Sequence, residues 1–125
     1  MPLCHIAMKQ GKSEDYRKAL LDGLYTALRD VLGVPEQDHF MTITEHDPAN
    51  IITGNAFGVD RSDDVLYIRI TLLDHRTTDQ KKALYKRITE LLTTRPGVRA
   101  EDIFIVLADA PPENWSVGMG ETQFL

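Results

Sequence analysis

The stretch SEDYRKALLDGLYTALRDVLGVPEQDHFMTI, Ser13 to Ile43, returns 64 positions later as TTDQKKALYKRITELLTTRPGVRAEDIFIVL, Thr77 to Leu107. Nine of the 31 aligned pairs are identical, among them Leu28/Leu92, Gly33/Gly97, Asp38/Asp102 and Phe40/Phe104. Chance pairing at ordinary residue frequencies gives roughly two. The chain therefore carries an internal duplication, and the fold must be built from two copies of one unit.

Each copy reads as strand, helix, strand. In the first, Leu3 to Met8 is short and apolar, with Cys4, Ile6 and Met8 on one face. Ser13 is placed to cap a helix, with Glu14 and Asp15 in its first turn. Leu20, Leu24, Ala27, Leu28 and Val31 recur at helical spacing, and Gly33 supplies the stop. A second strand follows over about 39–44. The second copy repeats the scheme with a strand over 65–72, a cap at Thr77, and a stripe of Ala83, Leu84, Ile88, Leu91 and Leu92. Pro96-Gly97 is the stop, and Ile103 to Leu107 is the last strand.

A helix between two strands of one sheet makes a right-handed crossover joining parallel strands. The expected fold is thus α/β (α+β): two fused β-α-β repeats, a four-stranded sheet and two helices on one face. The expected division is one domain over 1–125, with units at about 1–44 and 65–108, a linker over 45–64 and a tail over 109–125. The linker and tail are rich in Gly, Pro, Asn and Asp, and read as loops with room for short hairpins or edge strands. Phe57, Trp115 and Phe124 in those segments are expected to pack as core or interface. Ile103 to Leu107 is apolar at every position, the pattern of a strand buried on both sides. No helix remains to cover the second sheet face, so the sequence predicts a homo-oligomer.

Composition narrows the functional classes. A net charge of -5 argues against a generally basic nucleic-acid surface. The longest apolar run, Ile103 to Ala108, has six residues, and MPLCHIAMKQ lacks the pattern of a signal peptide. A cytoplasmic protein with no membrane segment is expected. The single cysteine, Cys4, reads as a small buried apolar residue rather than a nucleophile. His5, His39, His46 and His75 lack metal-ligand spacing, and Asp60, Asp63 and Asp64 lack that of a calcium loop, so no metal site is expected.

A duplicated β-α-β chain of this length opening Met-Pro-Leu resembles the tautomerase superfamily. The resemblance rests on Pro2, the two-unit architecture and the stretch from Asn114-Trp115-Ser116 to Gln123-Phe124-Leu125. Within the superfamily it is most similar to the malonate semialdehyde decarboxylase group. The resemblance implies a homotrimer that covers the open sheet face, removal of Met1, and a cofactor-independent reaction on a small oxo acid. Its catalytic group would be the freed Pro2 nitrogen. A secondary amine at an apolar site has its cation disfavoured by desolvation. Such a base can take a proton from carbon beside a carbonyl, and in its cationic form it can polarise the carbonyl instead.

The same resemblance makes Arg76 the grip on a substrate carboxylate, a task suited to its planar fork. It places Asp38 beside the proline, assisting proton transfer or orienting water. Trp115 and Phe124 would form an apolar wall that closes the pocket. The chain departs from the decarboxylase pattern at Asp74, where that group has a second arginine, and at Val117, where it has a further aromatic. His75 lies between Asp74 and Arg76 and can replace the missing cation in part. At the positions that distinguish the cis-3-chloroacrylate dehalogenases, this chain has Arg29, Phe104 and Trp115. The repeat supplies a competing view of Asp38: Asp102 matches it where no terminal proline exists, as expected of a residue that shapes the turn before a strand. Two functions follow. One is an enzyme acting by keto-enol tautomerisation, hydration or decarboxylation. The other is a catalytically inactive trimer of the same fold that binds a small molecule or a protein.

Overall fold

A computed structural model describes residues 1–125. Strand β1 (Pro2–Lys9) leads into helix α1 (Glu14–Leu32) and strand β2 (Phe40–His46), and the second unit follows as β3 (Leu66–Leu73), α2 (Thr78–Thr94) and β4 (Ile103–Ala110). The caps form as the sequence predicts. Ser13 accepts the Tyr16 N–H, and Thr77 and Gln80 complete a reciprocal capping box. Gly33 ends α1 at φ 63°, a left-handed conformation that a side chain disfavours, and its N–H donates to the Arg29 carbonyl.

The strand order is β2-β1-β3-β4. Within each unit the strands are parallel, with matching register: Leu3 faces Phe40 in the first and Tyr67 faces Phe104 in the second. The units join through an antiparallel β1–β3 pairing, which brings Pro2 opposite Leu72 and His5 opposite Arg69. His5 and Arg69 are also equivalent residues of the two repeats, so a local two-fold axis passes between them.

Both helices pack on one face of the sheet. Cys4, Ile6 and Met8 of β1 and Leu66, Ile68, Ile70 and Leu72 of β3 are buried beneath Leu20, Leu24, Leu28, Leu84, Ile88 and Leu92. The helices approach closely at Gly23, where a Cβ would come within 2.7 Å of a Leu92 methyl. The opposite face is open. Leu3, Phe40, Phe104 and Val106 are each exposed by about half there. In one chain, then, Ile103–Leu107 is not buried on both sides. Ile103, Ile105 and Leu107 lean on the core, while Phe104 and Val106 look outward.

The linker forms two short 3-10 turns, Pro48–Asn50 and Ala56–Gly58, and the tail forms one, Pro112–Asn114, in place of the expected hairpins or edge strands. The linker is tied down by Asp102, the one charged residue that is fully buried. Its carboxylate accepts the Ser62 N–H at 2.7 Å and the Ser62 hydroxyl at 2.5 Å. The Arg99 guanidinium lies 3.7 Å away. Phe57 lies in the linker almost fully exposed, so within one chain it does not join the core, one of the two roles expected of it. Its backbone is left-handed, at φ 65°, within the short Ala56–Gly58 turn.

Replacing Asp102 with Ala removes two charge-assisted bonds and leaves the Ser62 donors without their acceptor. The expected loss is about 2–4 kcal/mol, or a Tm lower by roughly 10 °C at fixed protein concentration. Thermal denaturation checks this, and a change near zero would show the latch to be dispensable.

Candidate active site

The antiparallel β1–β3 pairing sets the N-terminus of β1 beside the C-terminal end of β3. The C-terminus of α1, the loop before β2 and the segment after β3 converge on the same edge. Pro2 itself is buried.

Asp38 lies on the loop between α1 and β2. Its Oδ2 stands 3.6 Å from the Met1 amino nitrogen, with both groups largely shielded from solvent. Its Oδ1 is buried and has no hydrogen-bond partner. Burying an unpaired carboxylate oxygen is costly. The equivalent Asp102 has both oxygens engaged by Ser62. The two repeat aspartates thus differ in a way their shared position does not foretell. Asp102 holds loop to strand, and Asp38 faces the chain terminus with one oxygen unused.

Arg76 precedes α2, where a cation opposes that helix's own dipole. The structure shows where the charge goes instead: its Nη1 donates to the Leu32 carbonyl at 3.2 Å, at the C-terminal end of α1. A cation is favourable there. Its Nε is buried and unpaired. The repeat equivalent Lys12 ion-pairs with Asp64 at 2.9 Å. Asp74 and His75 are exposed.

Cys4 follows Pro2 by two residues on the buried face. Burial first, and the Asp38 carboxylate second, push its thiol up to about 12. It stays protonated near neutral pH, in keeping with a packing role.

Trp115 and Phe124 pair with each other edge to face, centroids 6.1 Å apart, and the Trp115 indole N–H donates to the Ala110 carbonyl. The tail carrying them is closed by Gln123, which accepts the Val117 N–H and donates to the Gly118 carbonyl. This pair follows β4, which β3 separates from β1 by roughly 10 Å. The aromatic wall and the Asp38 corner are thus on one edge but not joined within one chain. A cavity of about 390 Å³ opens on the uncovered sheet face, lined by His5, Tyr67, Arg69, Phe104 and Val106 rather than by Pro2.

The sequence reading did not single out Tyr25 and Gln37, which support the Asp38 loop. The Tyr25 hydroxyl accepts the Gln37 N–H at 2.9 Å, and its ring packs on His39 at 4.4 Å. The available signal was divergence between the repeats: the second unit has Thr89 and Ile103 where the first has Tyr25 and His39.

Comparison with known proteins agrees with this architecture. A family model described as tautomerase enzyme matches residues 38–118, and a second of the same description matches residues 2–60. The probable tautomerase YusQ of Bacillus subtilis (strain 168) is 36% identical over 126 residues, spanning 100% of this chain and 99% of the relative. The probable tautomerase YrdN of the same organism is 28% identical, spanning 100% and 97%. Among solved structures, FG41 malonate semialdehyde decarboxylase inhibited by 3-bromopropiolate superposes with a TM-score of 0.91 at 34% identity, covering 98% of this chain and 93% of that one. The chain belongs to the tautomerase enzyme family.

The state of Cys4 is directly testable. Native protein at pH 8 is expected to react with iodoacetamide at least ~100-fold more slowly than the unfolded chain, because only the thiolate attacks. Because the folded thiol holds its proton to higher pH than the unfolded one, its contribution to stability is intact below about pH 9 and is lost as pH rises toward about 12. Equal alkylation rates for folded and unfolded protein would overturn this.

Proposed function

We propose that this chain is a cofactor-independent enzyme that uses the Pro2 nitrogen, freed by removal of Met1, as acid and base on a small oxo acid. The observation that carries the reading is the pair of unsatisfied buried atoms at the edge where β1 begins: Asp38 Oδ1, an acceptor, and Arg76 Nε, a donor. Unpaired buried polar atoms in a native fold call for a partner. A substrate carboxylate suits the Arg76 donor. A water, or the protonated proline, suits the Asp38 acceptor.

The chemistry follows from these parts. The neutral amine removes a proton from the carbon next to the carbonyl, giving an enol or enolate, and returns it at another position. That is keto-enol tautomerisation. In its cationic form the amine polarises the carbonyl for hydration, or for loss of carbon dioxide from a 3-oxo acid. Asp74 puts a negative charge where the decarboxylase group carries its second arginine, which favours tautomerisation or hydration over decarboxylation. His75 is the remaining nearby group able to carry positive charge toward a substrate.

The assembly in this reading is a homotrimer. Its support is the open apolar face, which one chain leaves to water. Three fused 4-OT structures of the same fold, at 21–24% identity, are described as trimers. Light scattering is expected to give the mass of three chains; a monomer would contradict this arrangement.

The decisive assay is a panel of small 2-oxo and 3-oxo acids and their enols, run on wild type and on Pro2→Ala. Pro2→Ala is expected to keep the oligomer and lose about 100-fold or more in kcat/KM. Arg76→Ala is expected to act mainly by raising KM. Unchanged turnover in Pro2→Ala would sink the mechanism. No turnover by wild type, with one of these acids raising the Tm, would favour the non-catalytic binding protein.

A further inference from the structure

We propose that Tyr25 is a positioning residue for Asp38: it clamps the α1–β2 loop on both sides of that aspartate and so sets the distance between the carboxylate and the terminal amine. This rests on the functional reading above for its consequence, though not for its geometry.

Asp38 is flanked by two residues that Tyr25 holds differently. On one side, Gln37 sits at φ 69°, in the left-handed region that a residue with a side chain rarely adopts. Its N–H donates to the Tyr25 hydroxyl at 2.9 Å. On the other side, the His39 ring packs on the Tyr25 ring at 4.4 Å. The Tyr25 hydroxyl also takes a bond from Arg29 Nη1 at 3.2 Å, one turn along the same helix. A strained residue persists only when its surroundings over-determine it, and here the constraint is identifiable.

The second repeat explains why the clamp is needed. There the aspartate is fixed through its own carboxylate, by Ser62. Thr89, in the place of Tyr25, turns its hydroxyl to the Tyr85 carbonyl of its own helix. In the first unit the carboxylate is kept free of such bonds, so the loop must be held through its neighbours.

Other charged and titratable groups near this edge are Cys4 on β1, Glu36 and His39 on the loop, Arg29 on α1, and Asp74, His75 and Arg76 after β3. Of these groups, Asp38 is the one in ion-pair contact with the Met1 amine, at 3.6 Å; removal of Met1 moves that charge one residue along, to the Pro2 nitrogen at the same corner. An anion held beside an amine favours its cationic form. Loosening the clamp lets Asp38 drift and weakens that preference.

The test reads the amine directly and needs no turnover. The pH dependence of acylation of the N-terminal peptide is followed by mass spectrometry in mature wild type, Tyr25→Phe, Asp38→Asn and the double variant. Tyr25→Phe keeps the ring and loses the acceptor. It is expected to lower the amine pKa by roughly half a pH unit. It should have no further effect in the Asp38→Asn background. Adding Gln37→Gly to Tyr25→Phe, which accommodates φ 69° without help, should restore most of the shift. An unaltered pKa in Tyr25→Phe, or the same shift with Asp38 already neutralised, would overturn the proposal. Should Tyr25→Phe not fold, hydrogen exchange of the Gln37 amide in wild type decides: protection supports the clamp, and exchange at the rate of open loop refutes it. Activity without coupling would refute the clamp alone, and coupling without activity the enzymatic reading alone.

Discussion

Everything at the candidate site depends on one pairing, the antiparallel contact between β1 and β3. Each β-α-β unit makes only a parallel pair with a helix across it, and the chain terminus of such a unit would lie near a sheet edge. Joining the two units through their first strands, around the His5–Arg69 position, moves the start of β1 to the middle of the sheet. It also sets the end of β3 beside it. The terminal amine and the Asp38 loop meet for that reason, and Arg76, 75 positions from Met1 in sequence, reaches the end of the helix that leads into that loop.

The duplication then becomes an internal control. Two aspartates at equivalent positions experience opposite fates, because in the second unit the chain continues backward from β3 and its linker supplies Ser62. In the first unit the Asp38 carboxylate faces the Met1 amine instead, with Oδ1 unpaired. The Asp102 carboxylate is therefore spent on the fold, while Asp38 keeps an oxygen free. Arg76 and Lys12 diverge in the same way: one lies on the end of α1, the other pairs with an aspartate at the edge of the linker.

Much of this was legible in the sequence because the signals are local. The repeat offset, the Ser13 and Thr77 caps, the Gly33 stop and the apolar stripes each depend on neighbours within one or two helical turns. The union of the units was not legible, since an internal repeat says nothing about which strands meet. The role of Asp102 was open for a similar reason: its partner lies 40 positions away. The Tyr25 clamp escaped notice because an aromatic on a helix face reads first as packing, and the strain at Gln37 leaves no mark on residue type. The linker was read as a loop with room for hairpins or edge strands, but what fixes it was not legible: Tyr67 donates to the Ile52 carbonyl and Asp102 holds Ser62.

Every proposed step uses a basic nitrogen at Pro2, and the intact mass of the untagged protein tests for it most directly. A mass lighter than the full sequence by one methionine is the predicted result, since it makes Pro2 a free secondary amine. A mass that retains Met1 would contradict the account, because the Pro2 nitrogen would then be an amide with no basic lone pair to give.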